Sequence, residues 1–216
     1  KIKNLKVSGK ISDEDFYFMR DSMAILEAVN LKESKVVDVY LPEEWDYLPN
    51  GEYGIIADAK TIDDVIPSAA FEGKKSLYHF TFPEVITEIG TGAFYASSLS
   101  GALVLPDNVV ALRENCFSYT NISSVVFSSS LITIGANSFS NCHSLSGTLS
   151  LPSTLEYIGT SAFADGGGLS GILRLPSELV YIGPQAFHQA GHFTGDLYIP
   201  EKVTKIGAYA FHDAGF

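Results

Sequence analysis

Cysteine is nearly missing from this chain. Two thiols, Cys116 and Cys142, among 216 residues exclude a disulfide framework and leave the redox compartment open. Cation is scarce as well: 14 Lys and Arg stand against 25 Asp and Glu, a net charge of −11, with no basic stripe to displace counterions from phosphates. Nucleic acid is thereby excluded as a partner. No run approaches the roughly 20 apolar residues of a spanning helix, so no transmembrane segment is expected. The chain starts at Lys1 and carries no signal peptide, as expected of a trimmed mature protein.

Catalytic motifs are equally hard to find. Gly73-Lys74-Lys75-Ser76 has the tail of a phosphate loop but lacks the glycine five positions earlier. Gly90-Thr91-Gly92 lacks the third glycine of a dinucleotide fingerprint. Gly159-Thr160-Ser161 is no nucleophile elbow, because Phe163 stands where the last glycine belongs. No pair of acids is placed for glycoside hydrolysis, so the chain reads as a non-enzyme without cofactor. His188 and His212 share a repeat position, with Asp213 and His192 nearby. Two imidazoles and a carboxylate fall short of the ligand set a metal site demands, and solvated surface histidines are the expectation.

What is present is a period. Phe71, Phe94, Phe117, Phe139, Phe163, Phe187 and Phe211 step by 23, 23, 22, 24, 24 and 24 residues. Eleven residues before six of them stands Pro83, Pro106, Ser128, Pro152, Pro176 or Pro200. Length varies only between a phenylalanine and the next proline position, which locates the flexible loop. Self-similarity of this kind specifies a stacked solenoid.

Each repeat position has a physical reading. Apolar residues one and three before the proline, such as Leu149 and Leu151, alternate as in a short strand with one face inward. Proline ends that strand. An aliphatic three residues later precedes an Ile-Gly pair, where glycine is expected to supply a backbone state that branched residues resist. The small residue before each phenylalanine lets the ring lie inside the coil, so seven rings should form a ladder near the strand spacing of about 4.8 Å. Pro67 and Arg113 replace glycines of the pair, Cys116 and Ser138 the small alanine, and Ser128 a proline. Such departures should weaken single coils without breaking register. Cys116 and Cys142 occupy different repeat places, so two buried free thiols are expected.

Residues 1–35 do not follow the repeat. Leu5 and Val7 suggest a short strand. Ser12 is a fitting N-cap, followed by Asp13, Glu14 and Asp15 where the helix dipole favours acids. Phe16, Met19, Met23 and Leu26 then recur at helical spacing, as for a helix packed over the open end of an array. Leu41-Pro42 opens the first repeat, but an insertion at about 43–60 intervenes, with Trp45, Tyr47, Tyr53 and a Pro49-Asn50-Gly51 turn.

The phrase LxLPxxLxxIGxxAF, read in Leu149–Phe163, Leu173–Phe187 and with conservative changes in Leu197–Phe211, resembles the BspA-like (Treponema pallidum-type) leucine-rich repeats of bacterial surface proteins. The likeness covers residues 36–216, and the segment before it resembles the N-terminal cap of such arrays. It implies an α+β, mainly β, curved leucine-rich-repeat solenoid of about seven coils with an N-terminal strand-helix cap. It also implies an extracellular or cell-surface protein, secreted or anchored by lipid through a removed N-terminal segment, that adheres to host or bacterial surface proteins or glycans. The family's frequent cysteine three after the phenylalanine survives here only as Cys142.

On that reading the candidate ligand face is formed by outward residues ahead of the prolines: Thr81, Val104, Val126, Ser150, Arg174 and Tyr198, with Asp196 beside them, tiling one continuous sheet face. The insertion aromatics Trp45, Tyr47 and Tyr53 form a second candidate, and Tyr157 with Tyr181, stacked on adjacent coils, a third. The alternative role is a structural, self-assembling spacer. The chain closes on AYAFHDAGF with no polar cap, so a homodimer through the uncapped C-terminal coil is a further expectation.

Overall fold

The structure, a computed structural model, describes all residues except 1, 38, 42–43, 48–52 and 58–59; for 40–41, 44–47, 53–57 and 60–62 it describes the backbone alone. Strand β1 (Asn4–Ile11) is followed by helix α1 (Asp13–Ser22) and strand β2 (Ala28–Val36). The Asp15 carboxylate accepts hydrogen bonds from the Ser12 backbone N–H at 2.9 Å and the Ser12 hydroxyl at 3.2 Å, which fixes the helix start. The helix is shorter than the apolar spacing suggested. Phe16 and Met19 lie on its buried face, but Met23 is already the C-cap and Leu26 is buried from the turn beyond. The Lys74 ammonium supplies the reason: it donates to the carbonyls of Arg20 and Met23, both at 2.6 Å, satisfying the helix end from outside.

This segment continues the solenoid. Strand β1 pairs in parallel with β2, and β2 pairs with the strand His79–Thr81 of the array. Helix α1 stands where later coils carry their phenylalanine turn, and the Phe16 ring meets Phe71 edge-on at 5.8 Å. The insertion is built as antiparallel pairs: β3 (Val39–Leu41) with β6 (Lys60–Ile62), and β4 (Glu44–Tyr47) with β5 (Tyr53–Ala57). The expected turn at 49–51 lies outside the described residues.

Beyond it the coils stack in register. A seven-stranded parallel sheet runs through Val65–Ile66, Glu88–Ile89, Ala111–Leu112, Thr133–Ile134, Tyr157–Ile158, Tyr181–Ile182 and Lys205–Ile206. The continuous ladder is therefore built on the residues just ahead of the Ile-Gly turn. The stretch ahead of the prolines is laddered only in part: Ser100–Val104 pairs with Asn121–Val126, while in later coils pairing falls earlier, at Ser146–Gly147, Gly168–Gly171 and Gly191–Phe193. Glycines with φ near +80° recur five residues before the proline, at Gly101, Gly147, Gly171 and Gly195; Gly101 lies within its strand, and Gly147 and Gly171 end theirs.

The phenylalanine ladder forms as the period requires. Successive rings from Phe71 to Phe211 stack with centroids 5.3 to 5.6 Å apart and planes within 21°. The spacing exceeds that of the strands because offset stacking slides each ring across its neighbour. The backbone of the same turn is a second ladder: each phenylalanine N–H donates to the carbonyl of the residue before the next phenylalanine, at 2.6 to 2.9 Å. To aim those groups along the axis, the residues two before and two after each ring take positive φ, as in Asn115 and Tyr119, Asn137 and Asn141, or Gln185 and Gln189.

The Ile-Gly glycine works differently from its sequence reading. Gly90, Gly135, Gly183 and Gly207 do not have positive φ; a Cβ on any of them would fall 2.2 to 2.8 Å from backbone atoms of the preceding coil. Glycine is required there because two backbones nearly touch. Cys116 and Cys142 are both buried thiols outside any disulfide. The Cys142 thiol donates to the Phe117 carbonyl at 3.1 Å, which gives its sulfur a place in the packed turn.

Candidate functional site

The candidate strand face rests on a row of leucines. Leu103, Leu105, Leu149 and Leu173 are buried, and the alternation of a strand turns the intervening residues to solvent. Thr81, Val104, Val126, Ser150, Arg174, Asp196 and Tyr198 are all exposed, with Val104 at 60%, Val126 at 57% and Tyr198 at 74%. Val104 and Val126 are directly paired across adjacent strands. Thr81 pairs with Asn30 of β2, so the face extends onto the N-terminal segment. Ser150, Arg174, Asp196 and Tyr198 lie outside any ladder, so the face is laddered in sections and does not form the single sheet surface expected. A shallow cleft of about 370 Å³ flanks Tyr198, lined by Leu175, Glu178, Pro200 and Lys202.

Of the insertion aromatics only the backbone is placed: Trp45 is the partner of Ile55, and Tyr47 of Tyr53. Their side chains lie outside the described residues. The Tyr157 and Tyr181 rings stack at 4.8 Å and 16°. Tyr181 is buried, so this pair serves packing along the seven-stranded sheet and leaves little ring surface for a ligand.

The histidine pair forms, with His188 and His212 ring centroids 5.2 Å apart and Asp213 Oδ2 3.3 Å from His212 Nδ1. Among the described residues no group of three or more His, Cys, Asp or Glu is arranged to hold a metal ion. His192 stands away from the pair, on the strand Gly191–Phe193 beside Ser170. The Gly73–Ser76 fragment holds no phosphate loop either, since Lys74 is committed to the end of α1. Among the described residues no helix is long and apolar enough to cross a membrane.

One property of the face escaped the repeat-based reading although the sequence displays it. Between Glu114 and Glu156 there is no Asp, Glu, Lys or Arg. The coils in the middle of the array carry their surface on Ser, Thr, Asn and apolar residues, with Tyr119, Ile132 and His143 also exposed, and the strand face crosses that zone at Ser124, Val126, Thr148 and Ser150.

The profile of the BspA type leucine rich repeat region matches residues 64–194 in six copies, more than half of the chain. A search of curated proteins gave no match. Among solved structures, the chain is similar to a leucine-rich repeat protein from Bacteroides ovatus, with 16% identity and a TM-score of 0.43. That alignment covers 76% of this chain and 59% of the other, so the chain spans less than two thirds of its neighbour's length.

Proposed function

Since this chain belongs to the BspA-type leucine-rich repeat family, we propose that it is a non-enzymatic binding module of the extracellular space or cell surface, which contacts a protein or glycan through its strand face. The observation that carries this reading is a set of exposed side chains, Thr81, Val104, Val126, Ser150, Arg174 and Tyr198, standing at one position of successive coils between inward apolar neighbours. Such a surface is pre-organised, because its backbone is held by the stacked coils and loses little entropy on binding. Arg174 and Tyr198, with Asp196 adjacent, are of the residue types that anchor interfaces. The hairpin bearing Trp45, Tyr47 and Tyr53 is the second candidate contact. A surface location, with or without a lipid anchor, fits the repeat family.

The test is a ligand screen on the chain and its Arg174→Ala/Tyr198→Ala variant. A ligand bound by the parent and lost by the correctly folded variant supports the reading; one retained undiminished removes the C-terminal half of the face from it.

A further inference from the structure

We infer that the ligand of the strand face is a neutral polysaccharide. The inference rests on the reading of that face as the binding surface and adds the chemistry of what it takes.

The face carries no charge from Thr81 to Ile172, through Ala102, Val104, Ser124, Val126, Thr148 and Ser150. This is a local property of a chain that elsewhere holds all of its 14 basic and 25 acidic residues. A polyanion would be repelled by the net charge of −11 and meet a single cation, Arg174, at the C-terminal end of the face. A polycation would be drawn to the acidic regions and gain nothing here. The surface is built for a partner whose recognition does not depend on charge.

Composition separates the remaining partners. Protein interfaces gather Trp, Tyr, Phe, Met and Arg and are depleted in Ser and Ala. The centre of this face has none of the first group and consists of Ser, Thr, Ala and Val. Ser124, Thr148 and Ser150 are exposed, and their hydroxyls make no hydrogen bond within the described protein, so each presents a donor and acceptors to solvent. Hydroxyls interleaved with the small apolar surfaces of Val104 and Val126 match a sugar chain, which offers hydroxyls at its edges and C–H groups on its ring faces. At the C-terminal end the open ring of Tyr198, 74% exposed, supplies a broader apolar surface on which a pyranose can stack. The stacked coils repeat these groups along one direction, as a polymer of identical units requires.

Affinity electrophoresis tests this with the whole chain. Gels carry a neutral β-glucan, α-glucan or mannan, or the polyanions heparin and polygalacturonate, each at low and high salt; immobilised gelatin serves as a protein probe. The face variant is Val104→Glu/Val126→Glu, which places charges on two well-exposed positions, and Ile132→Glu is the control on another side of the coil; circular dichroism confirms folding of both. The expected result is retardation by a neutral polysaccharide, insensitive to salt, weakened more than about tenfold (about 1.4 kcal/mol) in the face variant and kept in the control. Binding of heparin, polygalacturonate or gelatin that the face variant abolishes, without retardation by any neutral glycan, overturns the polysaccharide inference and leaves the strand face as the binding surface. Binding indifferent to the face variant, or none to any probe, overturns both.

Discussion

The Arg113 guanidinium meets the Glu88 carboxylate of the preceding coil at 3.2 Å, with Arg113 2% and Glu88 7% exposed, at a repeat position where most coils carry glycine. The departure that sequence reading marked as a weakness is therefore half of a buried ion pair. The neighbouring departure belongs to the same arrangement: the Ser138 hydroxyl donates to the Arg113 carbonyl at 3.2 Å and to that of Gly135 at 2.8 Å.

Breaking this pair from one side removes a 3.2 Å contact from a charge that stays buried. Glu88→Gln or Arg113→Met alone should each destabilise the protein by roughly 3–5 kcal/mol, while the double Glu88→Met/Arg113→Met variant should lose less than either. Urea denaturation of the three variants checks the order. A double variant less stable than both singles would show that the pair is stabilising beyond mutual neutralisation.

The phenylalanine ladder should be graded along its length. Phe139 is fully buried between Phe117 and Phe163, so Phe139→Ala should cost about 3–5 kcal/mol. Phe211 is only partly buried, and Phe211→Ala should cost distinctly less. Equal losses in chemical denaturation would mean that the rings are not the units of stability.

Two substitutions separate the two demands made on small residues. Gly183→Ala puts a Cβ 2.5 Å from backbone atoms of Gly159 and Thr160, where only movement of a whole coil relieves it, and should destabilise by more than roughly 2 kcal/mol. Ala96 has φ 52°, so Ala96→Gly should stabilise by up to about 1 kcal/mol through relief of backbone strain. Thermal melts of both variants give the two signs.

Burial pushes the Cys142 thiol up, against the opposing hydrogen bond from Thr120. The folded state then holds its proton at pH values where the unfolded chain, with an ordinary thiol near about 8.5, has lost it. Its contribution to stability is complete below that value and declines as pH rises through it. Cys142→Ala should flatten the alkaline fall in stability, and the native thiol should react with a disulfide reagent only at the rate of unfolding.

Much of this was legible in the residues. The ladder could be read because a ring every 22 to 24 positions has only one way to be buried in a stacked coil. The glycine after each isoleucine was legible as a need for a small residue, but its reason was not, since positive φ and close backbone approach both select glycine. The positive-φ sites flanking each ring left no mark, because Asn, Gln, Ser, Ala, Tyr and Asp all occupy them, held there by hydrogen bonds to the next coil. For the candidate face, the exposed positions were legible from alternation, while its division into separate ladders lay in how the backbones of adjacent coils pair, which no sequence displays.

The sequence by itself determined the period, the inward ring and the charge-free middle coils. These are statements about residue type at a spacing, and a repeat makes spacing equivalent to place. Tertiary structure alone decided which stretch carries the continuous sheet, that Lys74 ends the first helix, and that Arg113 finds Glu88. Each of these is a contact between residues 23 to 54 positions apart, set by how one coil lies on the next.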